Sequence, residues 1–384
     1  MRQKTENRQI GGNKMLIFLN ILILIVIFGI FIFSIWYTAF RLHTHFKSIP
    51  FWTFQIAVAL GAIGSFVALI ITSRFSNQFA SFLNVSGGFL LLFIIFLFIL
   101  LAILHLIQFK LSFPLVWSGA AALAVSFIIT TIGALLASSF VVKENEIKIP
   151  GLEKELSVML ISDVHIGHHR GRDYLVRIVD ETNKRNPDLI LITGDLVDSE
   201  PAMLPGVLDP LSGFKAPAYF VEGNHEKDVG LERVLNIIRQ NGVRIMQNEV
   251  IETHGIQLIS LEYMKADDKT FDMHPSDKTE TIKSVLTGLS LKKDIPSILI
   301  HHSPIGVQYV ETTGINLMLS GHTHAGQIFP FSLFARLSFP FNSGLYQQGN
   351  TKVFVSKGAG TYMIRMRLGS LNEINLLKMI PEGN

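Results

Sequence analysis

Hydrophobic and polar positions follow two different rules along this chain. Between residues 15 and 138 they form four nearly uncharged apolar stretches, 15–40, 51–73, 88–109 and 115–138. Each is about twenty or more residues long, enough for a helix to cross a hydrocarbon core of roughly 30 Å. Beyond Ser138 charges recur every few residues, and short apolar or β-branched runs with turn-like flanks take over. They predict strands at Ser157–Ser162, Leu189–Thr193, Ala218–Val221, Gln257–Leu261, Ser297–Ile300, Leu317–Leu319, Lys352–Val355 and Ile374–Met379. Helical spacing puts Leu175, Ile178 and Val179 on one face of Tyr174–Lys184, and Val234, Leu235 and Ile238 on one face of Leu231–Arg239. Strand, helix, strand order implies right-handed crossovers and parallel pairing, and the later strands, with fewer helices between them, suggest a mixed sheet.

The expected architecture is an N-terminal region of four transmembrane helices over 1–140, a linker over 141–155, and an α/β domain over 156–384. That domain is expected to be a layered sandwich of two mixed β-sheets flanked by helices. The first stretch runs unbroken through Trp36 and Tyr37 and lacks the small-residue cleavage site of a signal peptide, so it is expected to be retained. Trp36, Tyr37, Trp52 and Trp117 lie near span ends, where amphipathic rings favour the interface. An even number of spans puts the N-terminal tail and the C-terminal domain on one side. Arg2, Lys4, Arg8, Lys14 and Arg74 flank that side, against Arg41, Lys47 and Lys110 on the other, and Lys143, Lys148 and Lys154 add to the bias. The expectation is a multi-pass protein of the cell membrane with a cytoplasmic catalytic domain.

Composition narrows the chemistry. With 49% hydrophobic and 16% charged residues the chain is too apolar for an ordinary soluble protein. The absence of cysteine excludes disulfides and thiolate metal ligands. A net charge of +3 without a dense basic run gives no reason to expect a nucleic-acid partner.

Five motifs in the second half each end an apolar run with metal-binding side chains: Asp163 and His165; Gly194, Asp195 and Asp198; Gly223, Asn224, His225 and Glu226; His301, His302 and Pro304; and Gly321, His322 and His324. Asp163 and His165, two apart, would share a face if strand geometry persisted, and could hold one cation together. The Asp195 carboxylate could bridge two cations, and Gly194 before it allows a tight turn. Asn224, His302 and His322 offer oxygen or imidazole ligands for a second ion, and His324 could return to the first. Nitrogen and oxygen donors without sulfur suit Mn, Fe, Zn or Co.

In this order the motifs resemble the calcineurin-like metallophosphoesterase superfamily, over residues 157–379. Gly321-His-Thr-His-Ala-Gly-Gln327, and Met366-Arg-Leu-Gly369 followed by Glu373, resemble a branch found behind N-terminal membrane helices, some members of which cleave UDP-diacylglucosamine. The resemblance implies two divalent cations, one held by Asp163, His165, Asp195 and His324 and the other by Asp195, Asn224, His302 and His322. It implies His225 as general acid and His302, two before Pro304, as the ligand of the His301–His302 pair. Two such cations activate a water and clamp an in-line attack on phosphorus. Asp198 and Glu226 are expected to orient ligands and turn backbone rather than to ligate.

His169 and Arg170 are candidate contacts for a substrate phosphate, weighed with His168 against a solvated loop. His105 is weighed as an intramembrane polar site against a residue near the interface. Phe329–Phe341, with five phenylalanines and one charge, reads equally as a buried loop or as a segment that dips into lipid. The expected function is hydrolysis of a phosphate ester or pyrophosphate in a phosphorylated small-molecule, lipid-linked or UDP-sugar substrate. The competing reading is a transporter or signalling membrane module with a regulatory, inactive hydrolase domain. Substrate specificity is expected to lie in loops such as Lys265–Lys278.

Overall fold

Long apolar helices come first along the chain, with no proline inside them to break their hydrogen-bonded ladders. In the computed structural model, which describes residues 25–26, 28–109, 115–270, 274 and 276–383, they are α1 (28–45), α2 (Phe51–Thr72), α3 (Gln78–Gln108) and α4 (Leu115–Leu136). Among the described residues, three helices, α2, α3 and the 117–136 part of α4, are long and apolar enough to cross a membrane. The expected first span, 15–40, begins outside the described residues, and its described part continues as α1 to residue 45. Helix α3 starts ten residues earlier than the apolar stretch at 88, because Asn77 caps it by accepting from the Ala80 N–H at 2.8 Å.

Two compact units result, Met1–Val67 with Leu90–Thr130 and Ala68–Phe89 with Thr131–Asn384. The first is held by Ile35, Leu42, Val58, Ala62, Ile94, Leu97, Leu101 and Ala122, packed together out of reach of water. Within it the exposed His105 bonds the Tyr37 hydroxyl through Nδ1 at 2.9 Å, so its polarity is met by a side chain of α1.

The second unit is a sandwich of two six-stranded sheets. One has the order β1 (Phe140–Ile149), β12 (Asn372–Pro381), β2 (Leu156–Ile161), β3 (Leu189–Thr193), β4 (Ala218–Val221) and β5 (Arg244–Ile245). The other has the order β10 (Gly344–Gln348), β11 (Thr351–Val355), β9 (Leu317–Ser320), β8 (Ser297–Ile300), β7 (Ile256–Ser260) and β6 (Val250–Thr253). Each is mixed: β2 to β5 run parallel with β12 against β2, while β7, β8, β9 and β11 run parallel with β6 and β10 reversed.

Strand alternation sorts the apolar residues into three layers. Val158, Leu160, Leu189 and Leu191 meet Leu258, Ile298, Ile300, Leu317 and Leu319 between the sheets. Met159, Ile161, Ile190 and Ile192 point outward to α5 (Arg172–Asn183) and α6 (Leu231–Gln240), which return Leu175, Ile178, Val234 and Leu235. Ile259, Leu299 and Met318 do the same toward α7 (Ile282–Gly288) and α8 (Val307–Thr312). Each such side chain, wholly buried, contributes about 1.5–3 kcal/mol.

One expectation needs correction. Residues 141–155, expected as a linker, begin with strand β1, which pairs in parallel with β12 from Phe140 opposite Asn372 to Ile149 opposite Pro381. Its charges Lys143, Glu144, Glu146 and Lys148 suit an edge strand, and Ile147 and Ile149 enter the core.

Candidate metal centre

The carboxyl ends of β2, β3, β4, β8 and β9 lie on the same rim of the sandwich, because these strands run parallel within their sheets. Each delivers one motif there. Asp163 and His165 leave β2 through left-handed backbone (φ 52° and 51°), as do Asp195 after β3 (φ 51°) and His322 and His324 after β9 (φ 72° and 49°). Such conformations are uncommon for residues with a side chain and concentrate at functional sites. The strand period therefore did not carry Asp163 and His165 to one face; two successive left-handed turns did.

Short backbone bonds lock these turns together: Asp163 N–H donates to Gly194 O and His165 N–H to Asp195 O, both at 3.0 Å. Gly194, at φ 81°, lies so close to Gly223 that a Cβ would stand 2.5 Å from the Gly223 nitrogen. Glu226, fully buried, accepts from the N–H groups of Gly223 and Leu196 at 2.7 Å and of Asp195 at 3.2 Å, tying the loop after β4 to the loop after β3. Burial and the neighbouring Asp195 push its carboxyl up to about 7.

Two groups of side chains converge inside this frame. Asp163, His165 and His324 form one and Asp195, His302 and His322 the other, with the candidate ligand atoms of each group within 4.8 Å of one another. His165 Nε2 and His324 Nε2 are 3.1 Å apart, and His302 Nε2 and His322 Nδ1 likewise. Nitrogens bound to one ion at about 2.1 Å and near right angles would lie about 3 Å apart, so the spacing is that of shared ligation. Asp195 joins the groups, its Oδ2 standing 3.1 Å from His302 Nε2 and 3.8 Å from His165 Nε2.

The donor chemistry fits cations. His302 Nδ1–H donates to Thr193 O at 2.7 Å, so Nε2 faces the group as the nitrogen that would ligate; with no cation there the Asp195 carboxylate, against burial, raises the ring's pKa to about 10, a proton that a metal ion would displace. Burial holds His322 and His324 well below the usual imidazole range, in the neutral form that ligates. Asn224 Oδ1 is buried without a hydrogen-bond donor, an acceptor a cation would satisfy. Burial would raise the Asp195 carboxyl, but the imidazoles of His302 and His225 outweigh it and hold the group well below its usual range.

His225 follows Asn224 and its ring centre lies 5.3 Å from that of His165. Its N–H donates to Asp195 Oδ1 at 3.0 Å and its Nδ1 meets Asp228 Oδ2 at 2.6 Å. Burial disfavours the imidazolium, yet the carboxylates of Asp195 and Asp228 raise its pKa to about 9. Asp198 stands behind His165, with Oδ2 3.5 Å from Nδ1, and is itself fixed by the Ser199 hydroxyl at 2.7 Å. His301 turns away: its Nδ1 bonds Ser303 O at 2.7 Å and its ring stacks on Tyr263.

His169 and Arg170 are not brought to the centre. Arg170 is buried, donating to Thr361 Oγ1 at 2.8 Å and to Ala137 O at 2.7 Å, and His169 Nε2 donates to Asn84 Oδ1 at 2.9 Å. These bonds engage both side chains with Ala137, Thr361 and Asn84.

Three other residues matter that the sequence left without a role. Asp228 orients His225 and could have been noticed from its i,i+3 spacing. Tyr362 covers His225 with ring centres 4.6 Å apart. Arg367, wholly buried, donates through Nη1 to His324 O at 2.7 Å and through Nη2 to Lys357 O at 2.7 Å and Gly360 O at 2.6 Å. Tyr362 carries no local signal, and Arg367 stood out only as part of the Met366-Arg-Leu-Gly369 motif, without a role. Aromatic rings line the second group: Phe339 stands 5.9 Å from His322 and Tyr263 5.8 Å from His302, centre to centre.

Residues 156–326 match the family model described as calcineurin-like phosphoesterase. An uncharacterized metallophosphoesterase of Helicobacter pylori is 36% identical over 247 residues, 63% of this chain and 64% of that protein, so the chain spans somewhat less than two thirds of that relative's length. An uncharacterized metallophosphoesterase of Aquifex aeolicus is 30% identical over 60% of this chain and 87% of its own. A Bos taurus protein named transmembrane protein with metallophosphoesterase domain is 37% identical over 60% of this chain and 54% of its own.

Proposed function

This chain belongs to the calcineurin-like metallophosphoesterase family, and from that premise we propose a membrane-anchored, two-metal phosphoesterase that hydrolyses a phosphate ester or pyrophosphate of an amphipathic, lipid-linked substrate. The observation that carries it is the pair of ligand groups joined by Asp195. Asp163, His165, Asp195 and His324 would hold one divalent cation and Asp195, Asn224, His302 and His322 the other, with Mn, Fe, Zn or Co as candidates. Such cations supply charge for the phosphoryl oxygens and an activated water.

The chain's own groups do the rest. His225 Nδ1–H is engaged by Asp228 at 2.6 Å, so the proton at Nε2 is the one free to reach the leaving oxygen. Asp198 and Glu226 hold the His165 ring and the Asp195 and Asn224 turns in place. Phe339 and Tyr263 beside the second group, and Tyr362 over His225, favour a substrate with an apolar portion over a bare nucleotide. We place the hydrolase on the cytoplasmic side of the cell membrane from the excess of Lys and Arg flanking that side.

Full-length protein in detergent, loaded with Mn, should carry about two ions per chain by elemental analysis and hydrolyse an aryl phosphate ester. Chelation should remove both properties. Asp195→Ala should lower turnover by at least about 10³-fold and reduce bound metal; turnover within tenfold of the parent would refute the assignment.

A further inference from the structure

The segment after the last histidine motif is apolar and, among the described residues, is left exposed. Helix α9 (Ser332–Ser338) buries none of its side chains. On it and just before it Phe329 is 51% exposed, Phe334 66% and Leu337 85%, joined by Phe331 and Leu333. A contiguous exposed patch of this kind marks a contact with a partner surface or a membrane.

What covers the patch follows from the strip to which it is bonded. Phe329 N–H donates to Leu368 O at 2.8 Å, and Gln327 Nε2 donates to Tyr362 O at 3.2 Å and Ile364 O at 3.1 Å. That strip lies against two apolar helices at glycines. A Cβ on Gly88 of α3 would stand 3.1 Å from Ile364 Cγ2, and one on Gly133 of α4 would overlap Met366 Cε. Arg367 N–H also donates to Gly133 O at 3.0 Å.

Both glycines mark the same depth. The apolar part of α3 runs from Phe89 to Ile107, with His105 near its far end as the one polar residue, about 28 Å at 1.5 Å per residue and so about one hydrocarbon core thick. Gly88 is the residue at its edge, and Gln78, Ser81, Asn84 and Ser86 lie beyond it. Gly133 lies one turn from the end of α4 at Leu136. The strip 362–368, and the segment hydrogen-bonded to it, therefore sit at the level where hydrocarbon gives way to headgroups.

We propose that Phe329, Phe331, Leu333, Phe334 and Leu337 insert into the lipid surface, so that the metal centre opens at the bilayer and takes substrate from it without extraction into water. Arg336, exposed on the same helix, suits the headgroup level. Phe339, continuous with the patch, reaches the ring of His322 at 5.9 Å and joins the lipid surface to the site. The inference deepens the proposed function and rests on α3 spanning the membrane, not on catalysis.

The chain has no cysteine, so single cysteines can be labelled without background. Full-length Leu337→Cys and Phe334→Cys, each carrying an environment-sensitive dye, are reconstituted in vesicles with and without nitroxide-acyl lipids. Ile103→Cys on α3 serves as the spanning reference and Glu232→Cys on α6 as the aqueous one. Emission at 337, 334 and 103 should fall at least about twofold with nitroxide lipid and at 232 by less than about a tenth. Quenching at 103 but not at 337 and 334 overturns the patch and leaves the spanning helices standing. No quenching at 103 overturns the membrane reading and the inference with it. A blue-shifted, unquenched dye at 337 would mean that a second copy covers the patch, which also overturns it.

Discussion

Among the described residues the largest side chain sealed inside the second unit is a cation, Arg367. Its guanidinium has five N–H donors, and Asn372 Oδ1 takes Nε at 2.8 Å while carbonyls of His324, Lys357 and Gly360 and the Ser370 hydroxyl take the other four. Burial, with the nearby charge of Arg170, pulls its pKa down to about 9. Arg367→Met would leave those buried carbonyls unpartnered and free the backbone that carries His324. It should destabilise the protein by roughly 3–5 kcal/mol. Arg367→Lys should retain part of the stability but lose metal at the His165–His324 group, since an ammonium cannot span the same carbonyls. Equal denaturation midpoints and equal metal content for Arg367→Met and the parent would discount this positioning role. At this scale the candidate ligands were legible, because each follows an apolar run that had to be a buried strand. The role of Arg367, noticed only within a motif, was not, because most of its partners are backbone carbonyls, and no residue type announces a carbonyl.

Among the elements, the central strands β3, β4 and β8 were legible to the residue, being short apolar runs bounded by turn residues and buried on both faces. The strand β1 was hidden because an edge strand carries solvent-facing charge: Lys143, Glu144, Glu146 and Lys148 mimic a linker's composition. The strand β5 has only two residues, and β6 and β10 offer no buried apolar run, their residues being exposed or half-buried. A strand and a linker differ in what a methylene there is worth. Ile147, 1% exposed on β1, packs with Leu377 and Met379 between the sheets. Ile147→Ala should cost about 2–5 kcal/mol, whereas Val141→Ala, on the exposed start of the same strand, should change stability by less than about 0.5 kcal/mol. Similar urea midpoints for the two variants would mean that β1 is no part of the core.

For the molecule as a whole, the second unit holds its own share of the apolar helices through histidines that must stay neutral. His169 Nε2 donates to Asn84 on α3, and His168 Nε2 donates to the Thr72 carbonyl at the end of α2 at 2.7 Å. Burial lowers the His169 pKa from 6.5 to about 3; Arg170, His168 and Arg365 act in the same direction and Asp198 against it. The unfolded chain therefore binds a proton between pH 6.5 and about 3 that the folded protein refuses. Stability contributed by the neutral ring is present above pH 6.5 and is lost as pH falls through that window. At about 1.36 kcal/mol per unit the loss amounts to a few kcal/mol by the lower end. His169→Gln keeps a donor for Asn84 but cannot titrate. Apparent melting temperatures of parent and variant, measured in detergent at steps from pH 7.5 to 4, should converge as the parent loses its advantage. Curves that stay parallel across the range would mean that His169 is not the group that ties acid sensitivity to the junction between the loop after β2 and the helix ends.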